Sequence, residues 1–264
     1  MSELVTVFQA NHYAVCTLTL PSKRNPISKP MRDALVAAME GLKHKDEIRS
    51  VIITGSGNTF CSGMDLDELS CQGQEELSAA EHLADSRSIR DFFEYVYTYP
   101  RATIAAVNGA AVAGGCGLAL VCDLTVAAQD AYFCLSEVKI GFVPALVSVY
   151  LRQIAGEKIV RELLLTARKV AAEEAKCFGL VNAVVPAAEL LQYAIGLADQ
   201  ISRNGPLAVR ATKELLAKAA GSTRVESLEQ AAACNATARG TEECREGVRA
   251  FLEKRKPFWV ENGG

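Results

Sequence analysis

The sequence predicts an α/β protein. Segments with strand character repeatedly give way to segments with helical periodicity, as expected of a largely parallel sheet covered by helices. The run Val51-Ile52-Ile53 predicts a strand that is buried on both faces. Of the 264 residues, 50% are hydrophobic and 22% are charged, so the chain is long and apolar enough to bury a sizeable core.

Six strands are predicted from alternating or β-branched segments. They lie at residues 4–8, 14–20, 49–54, 103–107, 124–127 and 131–135. Helices are predicted where apolar residues recur every three or four positions, over residues 30–42, 75–97, 158–165, 171–178 and 187–202. The first helix follows Ser28, whose hydroxyl suits the N-cap position.

The C-terminal part of the chain differs in composition, because strand signals fade after about residue 186. Three helices are predicted there, over residues 187–202, 207–219 and 227–251, the last provided that its middle is continuous. The tripeptide Asn204-Gly205-Pro206 is a strong break between the first two. We therefore expect a core over residues 1–200 and a helical region over residues 201–264, which covers its own core or a neighbouring subunit.

Composition and motifs argue against several classes of protein. A formal net charge of -3 does not suit a strongly basic nucleic-acid binder, and no segment has the uninterrupted apolar length of a membrane span. The nine cysteines include no CxxC pair, and the N-terminus lacks the pattern of a secretory signal, so we expect reduced thiols in the cytoplasm. The three histidines have no metal-ligand spacing.

The segment over residues 104–123 has the physical properties of an anion site. It combines a strand, a glycine-rich turn and an apolar helix. Glycines allow the backbone to approach a ligand closely, and the free N–H groups of the first helical turn point towards it. The spacing matches neither the dinucleotide-binding nor the P-loop glycine pattern. The alternative is that these glycines only allow close packing of the strand against the helix.

A second glycine-containing loop follows the buried strand at residues 51–53. It extends to residue 66 and also leads from a strand into a turn that presents backbone amides. Two loops of this kind are able to converge on one oxygen atom, which favours a functional role for both.

Five motifs make the sequence similar to the enoyl-CoA hydratase/isomerase (crotonase) family. They are LTLPSKRNPIS at 18–28, FCSGMDL at 60–66, IAAVNGAAVAGGCGLALVCD at 104–123, LSEVKIGFVP at 135–144 and FLEKRKPFW at 251–259. They occur in the family's order and cover essentially the whole chain. The resemblance implies a crotonase-like ββα spiral core with a helical C-terminal trimerisation region, assembled as a homotrimer or a dimer of trimers.

The resemblance also implies an acyl-CoA thioester as substrate. Coenzyme A is then part of the substrate, and no separate cofactor, metal, nucleic acid or membrane is expected as a partner. The thioester carbonyl is expected to accept hydrogen bonds from the backbone N–H groups of Met64 and Gly114, which stabilise an enolate. Glu137 aligns with the family's acid/base glutamate; without the resemblance, a lone glutamate here is either a buried carboxyl or a solvated charge.

Two departures from the family pattern bear on the reaction. Gly117 stands where many hydratases carry a second glutamate that helps to hold the water. The segment 141–150, which includes Phe142, lacks the Gly-Gly run that is often found there. We expect Met64, Gly117 and Phe142 to border the acyl group, although the segment 141–150 is equally typical of a packing surface.

Three functions stay open at this point. The resemblance favours reversible hydration of a 2-enoyl-CoA, including a branched one. Movement of a double bond from the 3 to the 2 position is the first alternative, because an isomerase needs only the one carboxyl group of Glu137. A non-catalytic acyl-CoA-binding or protein-interaction role is the second alternative.

Basic residues near both ends of the chain are candidates for binding coenzyme A. Lys23 and Arg24 follow the second predicted strand, and Phe251, Lys254 and Lys256 match the region that family members use for the adenosine phosphate, often across a subunit contact. Each group is also consistent with solvated surface charge, the second at a helix C-terminus.

The remaining reactive side chains favour structural roles. Cys116 lies at a predicted helix N-terminus, where a thiolate would be stabilised, but a small buried cysteine is the better interpretation. Asp65, Asp67 and Asp123 are interpreted as structural groups of loops and helix ends.

Overall fold

The computed structural model describes residues 3–65 and 78–261. Within them the chain forms two sheets and a series of helices. The strands are β1 (Val5–Gln9), β2 (Tyr13–Leu18), β3 (Ser50–Gly55), β4 (Thr59–Cys61), β5 (Ala102–Val107), β6 (Ala110–Val112), β7 (Leu124–Ala128), β8 (Tyr132–Cys134), β9 (Val170–Ala171) and β10 (Ala183–Val185).

The helices of the described residues occur mainly in the second half of the chain. They are α1 (Lys29–Lys43), α2 (Ala79–Tyr97), α3 (Gly114–Leu120), α4 (Ala145–Ile154), α5 (Glu157–Thr166), α6 (Ala172–Cys177), α7 (Leu190–Ser202), α8 (Pro206–Ala219), α9 (Arg224–Arg239), α10 (Glu242–Leu252) and α11 (Phe258–Glu261). Short 3-10 turns occur at Pro21–Lys23, Glu137–Ile140 and Ala187–Glu189.

From β3 to β8 the strands alternate between the two sheets. The larger has the order β1-β2-β3-β5-β7-β10 and the smaller the order β4-β6-β8-β9. Strands β3, β5 and β7 each enter the larger sheet, and the next strand along the chain enters the smaller one. Neighbours pair in parallel except β1 with β2 and β8 with β9. Two strands followed by a helix therefore form one repeating turn of a ββα spiral.

The core lies on both sides of the larger sheet. Helix α1 packs on β1 and β2, and α7 packs on β3, β5 and β7. Val51, Ile52 and Ile53 of β3 are fully buried, as the sequence predicts for a strand that is covered on both faces. Burial of this apolar surface is the main source of stability for such a sheet.

All six predicted strands and the predicted helices of the first 202 residues are present, with ends that differ by a few residues. Helix α2 begins at Ala79, and the predicted start at residues 75–77 lies outside the described residues. Ser28 caps α1 as expected, because its hydroxyl oxygen accepts a hydrogen bond from the Met31 N–H. Strands β4, β6, β9 and β10 and helix α4 are missed by the sequence-based prediction.

The prediction of one continuous helix over residues 227–251 is wrong. Helix α9 ends at Arg239, Gly240 occupies its C-cap, and a new helix begins at Glu242. The Thr241 hydroxyl oxygen accepts a hydrogen bond from the Cys244 N–H at 3.1 Å, which caps the new helix. A threonine after a glycine is therefore the signal for the break.

Polar contacts join the C-terminal helices to one another and to the core. The Glu243 carboxylate accepts hydrogen bonds from the N–H groups of Leu207 and Ala208, at 2.9 and 2.8 Å, and so satisfies the N-terminus of α8. The Lys213 ammonium of α8 lies 2.7 Å from the Asp123 carboxylate. Helices α8 and α9 bury none of their own residues within the chain.

A buried asparagine holds the loop between β2 and α1. Asn25 is fully buried and has a φ of 52°, a left-handed conformation that asparagine tolerates better than most residues. Its side-chain carbonyl accepts from the Leu20 N–H at 2.9 Å, and its amide donates to the carbonyls of Ser56 and Thr59 at 2.9 and 2.8 Å. This loop is thereby fixed against the turn between β3 and β4.

We expect Asn25→Ala to lower the free energy of unfolding by roughly 2–4 kcal/mol, because it removes the side-chain partner of one buried and two partly buried backbone groups. Urea denaturation measures the change. Asn204→Ala is the matched control, since that exposed amide only donates to the Gln200 carbonyl at 3.3 Å and its loss should change stability by less than about 0.5 kcal/mol. An Asn25 effect no larger than the control's would contradict this role.

Candidate functional site

A cavity of about 900 Å³ lies between the two glycine-containing loops, the N-terminal half of α4 and one face of α2. Its walls combine apolar side chains with backbone groups and a few polar side chains, which is typical of small-molecule sites. Five residues that the sequence analysis singled out line it together: Arg24, Met64, Gly114, Glu137 and Phe142.

The two loops lie backbone to backbone at this cavity. Gly63 has a φ of 88°, and a Cβ atom there would lie 2.7 Å from the Val112 carbonyl oxygen and 3.1 Å from the Gly114 nitrogen. A Cβ atom at Gly115 would overlap the Cys61 carbonyl. Only glycine fits such close approaches. These glycines thus do allow close packing, which was the alternative to a functional role. The same packing brings Met64 and Gly114 to one cavity.

Two backbone N–H groups at the cavity have no hydrogen-bond acceptor within the described residues. Within residues 3–65 and 78–261, neither the Met64 N–H nor the Gly114 N–H donates a hydrogen bond to the protein. The Ile27 N–H donates to the Gly63 carbonyl at 2.8 Å. Because the C=O and N–H of a trans peptide point in opposite directions, this bond turns the Met64 N–H away from the Ile27 backbone.

The residue before Gly114 has a strained backbone conformation. Ala113, which precedes α3, has φ 49° and ψ -122°, a conformation that residues with a side chain rarely adopt. Its N–H donates to the Cys134 carbonyl at 2.7 Å, which helps to hold the turn. Ala113 also lines the cavity. Backbone strain of this kind clusters at functional sites.

Glu137 begins the short turn after β8 and is 8% exposed. Its Oε2 atom is buried and has no hydrogen-bond partner among the described residues. Burial raises the pKa of this carboxyl above its ordinary value, and a hydrogen bond from its own backbone N–H offsets part of the rise. The interpretation as a solvated surface charge is therefore wrong, and a buried carboxyl with a raised pKa is a candidate for proton transfer.

Gly117 lies behind the cavity wall and does not line the cavity itself. A Cβ atom at this position would lie 2.8 Å from Cγ2 of Val147 and 2.9 Å from Cζ of Phe93. Both of those side chains line the cavity. The space that a second carboxylate would need is thus occupied by hydrocarbon, and the sequence analysis did not identify either residue.

The candidates for coenzyme A binding are not all brought together. Arg24 lines the cavity, and the Lys23 ammonium lies 3.4 Å from the Asp65 carboxylate. Phe251 is 83% exposed at the end of α10, and Lys254 and Lys256 follow it on the surface. These three residues do not line the cavity of their own chain.

The thiols near the cavity are not prepared for nucleophilic attack. Burial raises the pKa of Cys61 to about 12. Burial also raises the pKa of Cys116, and the negative charge of Glu137 adds to the rise. Both side chains therefore remain protonated. Asp67 and Cys71 lie outside the described residues.

Over residues 3–65 and 78–261, no group of three His, Cys, Asp or Glu side chains is arranged to hold a metal ion. None of the helices described there combines the length and apolar character that a membrane span requires. The cavity therefore carries the candidate chemistry on its own backbone amides and the Glu137 carboxyl.

Comparison with known proteins agrees with this geometry. A family model described as enoyl-CoA hydratase/isomerase matches residues 9–262. The chain belongs to the enoyl-CoA hydratase/isomerase family. The prediction of a crotonase-like α/β fold is confirmed: the structure of an enoyl-CoA hydratase from Mycobacterium smegmatis matches with a TM-score of 0.90 and 31% identity, over 97% of this chain and 99% of that one.

Relatives in the enoyl-CoA hydratase/isomerase family include proteins named for two reactions. A putative enoyl-CoA hydratase of Thermus thermophilus is 46% identical over 94% of this chain and 98% of its own length. The human mitochondrial Delta(3,5)-Delta(2,4)-dienoyl-CoA isomerase is 32% identical over 93% of this chain and 77% of its own length. Family membership therefore leaves both hydration and isomerisation open.

The raised pKa of Glu137 predicts a pH-dependent stability. The folded protein holds this proton more tightly than the unfolded chain does. The associated stability is fully present below the ordinary value of 4.5 and is lost as the pH rises through the raised pKa. We expect Glu137→Gln, which cannot become charged, to be more stable than the unmodified protein by a margin that grows across this range.

Urea denaturation at a series of pH values measures that margin. Glu229→Gln is the control, because Glu229 is exposed on α9. A margin for Glu137→Gln that does not change with pH would contradict the raised pKa.

Proposed function

We propose that the protein reversibly hydrates a 2-enoyl-CoA thioester. The observation that carries the proposal is the shared cavity of an unpaired, buried Glu137 carboxyl and two N–H groups that have no acceptor in the described residues. An acid/base group beside a pair of oriented donors suits chemistry at the carbons next to a carbonyl. The hydratase names of the relatives support the choice of hydration.

In the proposed mechanism the thioester oxygen accepts hydrogen bonds from the Met64 and Gly114 N–H groups. The Glu137 carboxylate takes a proton from water as the water oxygen bonds to C3 of the enoyl group. The electrons of the double bond move onto the thioester as an enolate, which the two N–H groups stabilise. Glu137 then returns its proton to C2. Loss of one such donor typically costs about 3–4 kcal/mol of transition-state stabilisation.

Isomerisation is a second candidate, and the surroundings of Gly117 favour it. Among the described residues, Glu137 is the one carboxyl group that we assign to the reacting carbons, since Phe93 and Val147 fill the space beside Gly117. One carboxylate is sufficient to take a proton from C2 of a 3-enoyl-CoA and to return it to C4, which moves the double bond to the 2 position. The same two N–H groups stabilise the enolate between the two steps.

We expect the unmodified protein to add one water to crotonyl-CoA. Glu137→Gln should lower kcat by about a hundred- to ten-thousandfold, because the substitution removes the group that transfers the proton. Mass spectrometry of the thioester measures the product. Asp130→Asn is the matched control, since Asp130 also lines the cavity but is exposed, and we expect its kcat to stay within about threefold of the unmodified value.

The outcomes separate the candidate functions. A 3-enoyl-CoA that is converted without a change in mass would support isomerisation. Binding of enoyl thioesters with no turnover would support a non-catalytic role. Substantial activity in Glu137→Gln would exclude Glu137 as the acid/base.

We propose that the chain assembles as a homotrimer or a dimer of trimers in which the C-terminal region contacts a neighbour. Several apolar side chains of α8–α10 are more than half exposed in the single chain, among them Leu216, Leu228, Phe251 and Leu252. Exposed apolar surface of this extent is typical of subunit contacts. Phe251 and Lys254 then reach the coenzyme A of the neighbouring subunit, while Lys23 and Arg24 contact the phosphates of their own.

Sedimentation equilibrium is expected to give three or six times the mass of the chain. Leu228→Glu should shift the protein towards smaller species, because it places a charge on the apolar contact. Glu229→Lys, at the next position on the same helix, is the control and should leave the mass unchanged. A monomer at all concentrations would contradict the proposed assembly.

We propose further that the reaction uses no cofactor and takes place in the cytoplasm. The steps above balance with water and one carboxyl group, so no electron acceptor is required. The cysteines of the described residues are all free thiols, which is typical of a reducing compartment.

A further inference from the structure

The wall beside Gly117 sets a limit to one end of the cavity. Cζ of Phe93 and Cγ2 of Val147 lie within 2.9 Å of the position that a Cβ atom at 117 would take. A glycine at 117 is therefore what allows the Phe93 ring to reach this place. Phe93 lines the cavity although it is only 1% exposed.

The position of this wall relative to the two N–H groups indicates what it contacts. Gly117 lies about one helical turn after Gly114. A Cα–Cβ bond in a helix tilts towards the N-terminus, so the atoms that fill the space beside Gly117 lie on the side of the Gly114 N–H. With the thioester oxygen at that N–H and the reacting carbons at Glu137, the acyl chain meets Phe93 and Val147 within a few carbons.

The Phe93 ring has little freedom to move aside. Tyr150 packs against it edge-on, with ring centroids 6.4 Å apart and an angle of 80° between the ring planes. The centroid of the Phe92 ring lies 5.7 Å from that of Phe93. Tyr150 in turn lines a second cavity of about 670 Å³ on its far side, together with Tyr97 and Leu120. The partition between the two cavities is thus formed by two packed aromatic rings, and packed interiors resist the displacement of such side chains.

We propose that Phe93 closes the acyl end of the site, so that the protein selects short-chain acyl-CoA thioesters. This inference rests on the proposed function for the identity of the ligand. Phe93 determines chain length because its ring occupies the space into which the acyl chain would otherwise extend. Val147, on α4, fills the space beside Gly117 together with Phe93 and narrows the same end.

The experiment compares acyl chains of graded length in two assays. Binding is measured by titration calorimetry with saturated acyl-CoA thioesters of four, six, eight, ten and twelve carbons, which cannot be hydrated. Turnover is measured with the trans-2-enoyl-CoA series of the same lengths. We expect both affinity and kcat/KM to fall by at least about tenfold between the four- and ten-carbon chains in the unmodified protein.

Phe93→Ala should raise the ratio of ten-carbon to four-carbon kcat/KM at least about tenfold, because the chain then has room to extend. Phe93→Leu is a milder variant that keeps the core filled and should produce a smaller change in the same direction. The matched control is Val96→Ala: Val96 is a buried residue on the same helix that lines neither cavity, and its truncation should leave the ratio unchanged.

The two assays keep the inference separate from the proposed function. If no enoyl thioester is turned over, the proposed function fails. A preference for short chains in the binding assay that Phe93→Leu or Phe93→Ala relaxes would still support Phe93 as the residue that limits chain length. Equal affinity for all lengths in the unmodified protein would overturn it. A change of ratio in Val96→Ala as large as in Phe93→Ala would also overturn it, since the effect would then be one of general packing.

Discussion

The close backbone contact between the smaller sheet's loops is the constraint on which the rest of the site depends. Glycines at 63, 109 and 115 each face backbone atoms of the other loop that a Cβ atom would overlap or crowd. Strands β4 and β6 can therefore pair with their following turns in direct contact. This contact places the Met64 and Gly114 N–H groups at one cavity, and the spiral then brings Glu137 to the same place from the end of β8.

The sequence predicts strands β1, β2, β3, β5 and β7 of the larger sheet well because each has five or six residues with a clear apolar or β-branched pattern. Strands β4, β6 and β9 of the smaller sheet and β10 of the larger one escape prediction, since each contains only two or three residues, too few for a pattern to show. Helix α4 was obscured by the branched, apolar character of segment 141–150. The break at Gly240 shows that one capping threonine outweighs helical periodicity.

The predicted site residues that the structure brings together are local features of a motif, whereas the contacts that depend on packing between distant segments were not predicted. Met64, Gly114 and Glu137 are local features of their loops, and the structure brings them to one cavity. Phe93 and Val147 fill the space beside Gly117 from two other helices, and no spacing in the chain indicates that contact. Phe251 and Lys254 stay outside the cavity of their own chain, because their proposed role needs a second subunit.

The hydrogen bond from the Ala113 N–H to the Cys134 carbonyl links the two halves of the site mechanically. Cys134 ends β8, and Glu137 follows it by three residues. The turn that presents the Gly114 N–H is thus held by the same segment that carries the Glu137 carboxyl. A displacement of that segment moves the N–H group and the carboxyl together, so their separation is a fixed dimension of the fold. Under the proposed function, differences in acyl preference are then free to arise in the cavity walls, while the spacing of the proposed reacting groups stays constant.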